Sequence, residues 1–317
     1  MQANFLAAHA AYSPSVIANA ISNGPSMSMQ MALKGLTATD LDDLAAYIGG
    51  VVNQTVNYEG LWWAAPAGSE SGWGINLAHQ YNTIFLTWFT YDTSGKAWWL
   101  VMTAQPGVGL NANTYAGTLY KTSGPPFNAR PFDPTLVQAT SVGMATLTFT
   151  DANNGTFSYT VNGVSQNKAI TREIFATLPT CLFVGAPDYS LTTNFQDLWW
   201  AAPRGSESGW GINFTHQSDI IFATWFTYNL DGSPLWLVVT APKIAINTYS
   251  GTLYQTTGPA FDAVPFDISK VTATAVGSAT ITFTDGNDAS FAYTVNGISQ
   301  AKPITRESFR VPGTQCQ

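Results

Sequence analysis

A chain of 317 residues with 45% hydrophobic content is long enough for two or three domains with cores of their own, which excludes general disorder. A net charge of −7 with only 12 Lys and Arg excludes the clustered basic surface that phosphate-backbone binding needs, so nucleic acid is not an expected partner. No run of 18 apolar residues is present, so no helical membrane span is expected. The low charged content of 10%, beside 13% aromatics with eleven Trp, describes a neutral, hydroxyl-rich surface.

The first stretch, 1–55, differs in character from the rest of the chain. Leu41, Leu44, Ala45 and Ile48 recur at helical spacing behind Thr39 or Asp40 as N-cap, which predicts a helix over Leu41–Ile48, and a second is predicted over Ser15–Ile21. Met1–Ala11 lacks the basic start and unbroken apolar run of a secretory leader, which leaves a cytosolic protein or a fragment as alternatives. The segment SMSMQMALKGLTATDLDDLAAYIGG resembles the end of a class I cytochrome c domain, where a Met-bearing loop precedes a terminal helix. That resemblance implies an axial haem ligand at Met27, Met29 or Met31 and a bacterial periplasmic or extracellular setting. Covalent haem attachment needs CxxCH, which the chain lacks, so no cofactor is expected and the segment reads as a remnant.

Beyond it the sequence repeats. Leu61–Ala104 aligns with Leu198–Ala241 at an offset of 137, and Thr114–Phe175 with Thr248–Phe309 at an offset of 134. Roughly two-thirds of the aligned positions are identical, including LWWAAP, GSESGWGIN, TWFTY and TVNG, and self-similarity at a fixed period means repeated structural units. The expected organisation is a helical segment at 1–55, one β-barrel repeat at 56–178, a linker at 179–194 and a second barrel repeat at 195–317.

Within the first copy, apolar and polar residues alternate at period two over Leu61–Ala64, Gly72–His79, Thr83–Tyr91, Ala97–Ala104, Thr114–Thr122, Gly143–Thr150, Thr156–Asn162 and Ser165–Phe175, which predicts strands. Tyr81-Asn82, Asp92–Gly95, Asp151–Gly155 and Asn162-Gly163 supply tight turns between them. The predicted fold class is mainly β: two tandem antiparallel eight-stranded up-and-down barrels, since closure removes exposed edges. Gly124–Val137 is too Pro-rich for a central strand and is expected to cross one end of the barrel as a lid or plug. The opening LWWAAPAGSESGWGINLAHQ loosely resembles the first hairpin of the avidin family, and the repeats resemble recurring tandem modules of bacterial extracellular proteins. The first resemblance implies a barrel, and the second implies a secreted or periplasmic location.

GSESG nearly matches the nucleophile elbow GxSxG, but Glu70 holds the nucleophile's place between two strands, so serine-hydrolase chemistry is not expected. Two readings stand for Glu70 and its counterpart Glu207: a tight loop satisfying its own backbone, or acceptors for ligand hydroxyls at the barrel mouth. His79 and His216 share a strand face with Trp73 and Ile75, and with Trp210 and Ile212, and are read either as hydrogen-bonded core residues or as site residues. One His per copy and no Cys within a module leave a metal without donors, so no metal site is expected. Among carboxylates present in both copies, Glu70 with Asp133 is the pair considered for acid–base work, while Glu173, next to Arg172, is expected on the opposite face. Cys181 and Cys316 follow their copies at similar intervals, compatible with a disulfide or with two thiols.

The aromatic residues carry the leading functional expectation. Trp62, Trp63, Trp73, Trp88 and Tyr91 recur as Trp199, Trp200, Trp210, Trp225 and Tyr228. Adjacent strand residues face opposite ways, so in each Trp-Trp pair one ring enters the core and the other reaches the outer face. With Glu70, Asn76 and His79, and with Glu207, Asn213 and His216, they form the candidate ligand-binding set, suited to stacking on sugar rings and bonding hydroxyls. The expectation is a non-enzymatic extracellular binding or adhesion protein for glycans or cell-surface polymers, with avidity from duplication. The alternatives are a glycoside or ester hydrolase using Glu70, His79, Glu207 and His216, a structural spacer, and plain packing of the two copies on each other.

Overall fold

The computed structural model describes residues 56–106, 113–185 and 187–317. The helices expected at Ser15–Ile21 and Leu41–Ile48 lie outside the described residues. The first barrel runs β1 (Gly60–Ala64), β2 (Gly74–Gln80), β3 (Thr83–Tyr91), β4 (Ala97–Pro106), β5 (Thr114–Ser123), β6 (Gln138–Phe149), β7 (Asn154–Val161) and β8 (Val164–Arg172). A short strand β9 (Cys181–Val184) lies in the connection. The second barrel runs β10 (Asp197–Ala201), β11 (Gly211–Gln217), β12 (Ile220–Tyr228), β13 (Pro234–Ala245), β14 (Thr248–Thr257), β15 (Thr272–Phe283), β16 (Asp288–Val295) and β17 (Ile298–Arg306), and β18 (Gly313–Cys316) comes after it.

Each set of eight strands is antiparallel in chain order and closed, with Trp62 opposite Arg172 across β1 and β8 and Trp199 opposite Arg306 across β10 and β17. The Asn162-Gly163 turn has φ values of 49° and 83°, the paired positive values that this dipeptide supplies in a two-residue hairpin. β9 and β18 pair with each other, and Cys181 is disulfide-bonded to Cys316 across that pair. Of the alternatives open for the two cysteines, the bridge is the one formed.

Both barrel interiors are filled. Trp62, Ile75, Leu77, Ile84, Leu86, Trp88, Leu100 and Phe149 are buried inside the first, and their counterparts fill the second. One end is stoppered by the residue ahead of the first strand. Tyr58 stacks on Phe149 with ring centres 3.6 Å apart, and its carbonyl accepts from Trp62 Nε1 at 3.0 Å. Phe195 does the same with Phe283 and Trp199 in the second barrel.

The other end is closed by the Pro-rich loop, but not that of the same barrel. Phe261, from the β14–β15 loop, packs on Trp88, Trp98 and Tyr159 of the first barrel. Its N–H donates to the Tyr91 carbonyl at 2.9 Å, and its own carbonyl accepts from Tyr159 OH at 2.8 Å. Phe127, from the β5–β6 loop, sits the same way against Trp225 and Tyr293 of the second barrel. The expected plug is therefore exchanged between copies. Burying one such Phe is worth about 1.5–3 kcal/mol.

The exchange requires the two barrels to lie side by side with like ends together, and the strand faces agree. β2 and β11 are buried on both faces because their outer residues meet the other barrel. Trp99 Nε1 donates to the Thr227 carbonyl at 2.9 Å, and Trp236 Nε1 donates to the Thr90 carbonyl at the same distance. At the far end the Gln80 amide bridges to the backbone of Glu307, Phe309 and Arg310, and Gln217 bridges to Glu173, Phe175 and Ala176. Residues 57–317 form one compact unit.

Candidate functional site

The sequence-derived candidates separate into three places. Trp62, Trp88, Trp199 and Trp225 are core residues inside the barrels. Tyr91 and Tyr228 are fully buried, each donating its hydroxyl to a glycine carbonyl, Gly72 or Gly209, at 2.6 Å; burial pushes both phenols up to about 12. Asn76 lies between the barrels, bonded to Thr224 and Thr215 at 3.3 Å, and Asn213 is buried at the matching place.

His79 and His216 belong to the stoppered ends. His79 Nδ1 accepts from the Tyr58 N–H at 3.1 Å, which puts the proton of the neutral ring on Nε2, facing the Tyr115 hydroxyl at 3.3 Å. Burial pulls the His79 imidazole down to about 3 and His216 down to about 4, so both are neutral. His216 repeats the geometry with Phe195 N–H and Tyr249.

Glu70 stands at the opposite end of β2. About 17 Å of strand separates it from His79, so the pair considered for hydrolysis is not brought together. Glu70 accepts from Trp73 Nε1 at 2.9 Å and is ion-paired with Lys168 at 2.7 Å; Glu207 is held likewise by Trp210 and Lys302. Asp133 does not join Glu70 either. It is exposed, caps a turn through Thr135, and lies in the loop whose Phe132 and Val137 reach Lys302 and Gly209 of the second barrel. Among the described residues, no group of three or more His, Cys, Asp or Glu is placed to hold a metal.

Two equivalent grooves lie along the seam between the barrels. Groove A, of about 260 Å³, is walled by Leu61, Trp63, Trp73, Phe89, Glu173 and Phe175 of the first barrel and by Phe222, Trp236 and Val238 of the second. Groove B, of about 450 Å³, is its counterpart, walled by Leu198, Trp200, Trp210, Phe226, Glu307 and Phe309 with Phe85, Trp99 and Val101 opposite. Strand pairing builds each wall. Trp62 faces Arg172 inside the barrel, where the guanidinium lies 4.8 Å from the indole ring, so Trp63 and Glu173 point outward into the seam.

The polar atoms of the grooves carry the chemistry. Trp63 Nε1 and Glu173 Oε2 are buried with no hydrogen-bond partner among the described residues, and so are Trp200 Nε1 and Glu307 Oε2. An unpartnered buried donor and acceptor cost about 1–3 kcal/mol each, and the same two recur in both copies. Burial pushes the Glu173 carboxyl up to about 7; Glu307 is also raised by burial, against the pull of Arg204. Each groove thus combines aromatic walls with an indole N–H and a carboxyl oxygen buried in its lining residues.

Of the candidates, Trp63, Trp73, Trp200 and Trp210 border this space. Sequence reasoning passed over Glu173, Phe175 and Trp236. The available signal was that β2–β4 carry large apolar residues on both faces, the mark of strands covered on two sides. Comparison of the chain with protein-family models, curated proteins and solved structures gives no match.

Proposed function

We propose that this protein is a non-enzymatic binding module of an extracellular or periplasmic surface, taking glycan units in grooves A and B. The observation that carries the reading is the duplicated pair of unpartnered buried atoms, Trp63 Nε1 with Glu173 Oε2 and Trp200 Nε1 with Glu307 Oε2, in aromatic-walled grooves. A sugar hydroxyl both accepts and donates, so one ring can satisfy the indole N–H and the carboxyl oxygen while its C–H face lies on the aromatic wall. The Cys181–Cys316 disulfide supports an oxidising compartment. Two linked sites on one chain favour polymeric ligands through avidity.

The test is a glycan array followed by tryptophan-fluorescence titration of the hits. Trp63→Leu with Trp200→Leu should weaken binding about tenfold or more, equivalent to about 1.4 kcal/mol, at unchanged melting temperature. Absence of any ligand at millimolar concentration, or a double variant that binds like the parent, would remove the reading. The filled barrel interiors favour a second one, a rigid spacer whose grooves stay empty.

A further inference from the structure

Grooves A and B are copies, so their differences are substitutions on a common frame. Two of them change charge. Beside groove A stand Ala67 and Ala176; the aligned positions beside groove B are Arg204 and Arg310. Arg204 lies 5.7 Å from the Trp200 ring and donates from Nη2 to Glu307 Oε1 at 2.9 Å, so the groove B carboxylate has a cation of its own. Arg310 lines groove B. Its backbone N–H is fixed by Gln80 Oε1 at 3.0 Å and its Nε donates to Thr83 Oγ1 at 3.3 Å, which leaves the terminal nitrogens without a partner among the described residues.

Groove A is lined by no cation, and Glu173 faces it alone. The Glu70–Lys168 and Glu207–Lys302 pairs beside the two grooves cancel in both. Groove B therefore sets two guanidiniums against one carboxylate on a protein of net charge −7, and it is the larger, at about 450 Å³ against about 260 Å³. A guanidinium whose forked terminal nitrogens are free matches a carboxylate or sulfate bidentately.

We propose that the two grooves have diverged in ligand: groove B takes an acidic saccharide unit, its carboxylate or sulfate on Arg310 and its ring against Trp200 and Trp99, while groove A takes a neutral one. This divergence rests on the glycan reading of both grooves.

The experiment titrates the full chain calorimetrically with trigalacturonate, with a chondroitin sulfate tetrasaccharide and with neutral galactotriose, at low and high salt. At least one acidic oligosaccharide should bind at one site per chain and weaken several-fold with salt. Arg310→Ala should cost it about tenfold or more and leave galactotriose unaffected, and Arg310→Lys should recover part of the loss. Ala176→Arg should add a second acidic site in groove A. Galactotriose binding without any acidic ligand, or acidic binding indifferent to salt and to Arg310→Ala, overturns the divergence and leaves the glycan reading standing. No binding by any of the three overturns the divergence, and if the glycan array also gives no hit the glycan reading falls with it.

Discussion

Glu173 and Glu307 occupy the same place in the two copies and differ in what stands beside them. Burial raises the Glu173 carboxyl from an ordinary value near 4.5 to about 7. A carboxyl that holds its proton more tightly when folded stabilises the fold least at high pH: its contribution is complete below about 4.5 and is lost as pH rises through about 7. Glu173→Gln keeps the shape and removes the charge, so the variant should melt higher than the parent at pH 8 and close to it at pH 4. Equal differences at pH 4 and pH 8, read by calorimetry, would mean that the carboxyl is not desolvated. Glu307→Gln should behave differently, because it also takes the carboxylate from Arg204, whose Nη2 keeps only the Ser308 carbonyl. The period-two pattern was enough to put one ring of each Trp-Trp pair in the core, without saying which, and to set Glu173 on the face opposite Arg172. It did not reveal that the outward face of Glu173 meets a second barrel, because alternation gives direction and says nothing of what lies beyond.

The β5–β6 and β14–β15 loops are the elements that make two barrels into one body. Each enters the other barrel's mouth through a glycine that only a bare Cα allows: a Cβ on Gly258 would stand 2.4 Å from the Tyr91 ring, and one on Gly124 would stand 2.7 Å from the Tyr228 ring. Phe261→Ala and Phe127→Ala each open a cavity over a Trp and should cost about 3–5 kcal/mol, seen as a lower urea midpoint with loss of near-ultraviolet tryptophan signal. A cost near that of a surface substitution in both variants would show that the loops lie on the barrels without stoppering them. Proline content marked this stretch as a cover for a barrel end. Which barrel was illegible, since the two mouths are built from nearly the same residues and a loop's own sequence does not choose between them. β6 begins at Gln138, ahead of the expected Gly143, because its first residues are exposed and carry little apolar alternation. β9 and β18, four residues each, are too short for periodicity to signal.

At the scale of the molecule, the principal contacts across the seam have mates, as Trp99 to the Thr227 carbonyl and Trp236 to the Thr90 carbonyl, or Gln80 and Gln217 to the opposite backbone. A single repeat carries both halves of these contacts. Residues 57–178 expressed alone should therefore form a homodimer with exchanged loops, with its mass read by light scattering after size exclusion; a stable folded monomer would show that the seam is not needed to cover the outer faces of β2–β4. The duplication itself and the strand count were legible from the repeat, whereas the seam was not, because identical copies give no hint of how they face each other. The disulfide adds a mechanical consequence. Cys181 and Cys316 bracket the whole second barrel, a separation of 135 residues. Tension applied between the first barrel and Gln317 passes through the sulfur–sulfur bond, so the second barrel hangs outside the load path as a closed ring. A pull that extends the first barrel then leaves the backbone of the second unextended, and reaches it only through the exchanged Phe127 loop and the seam.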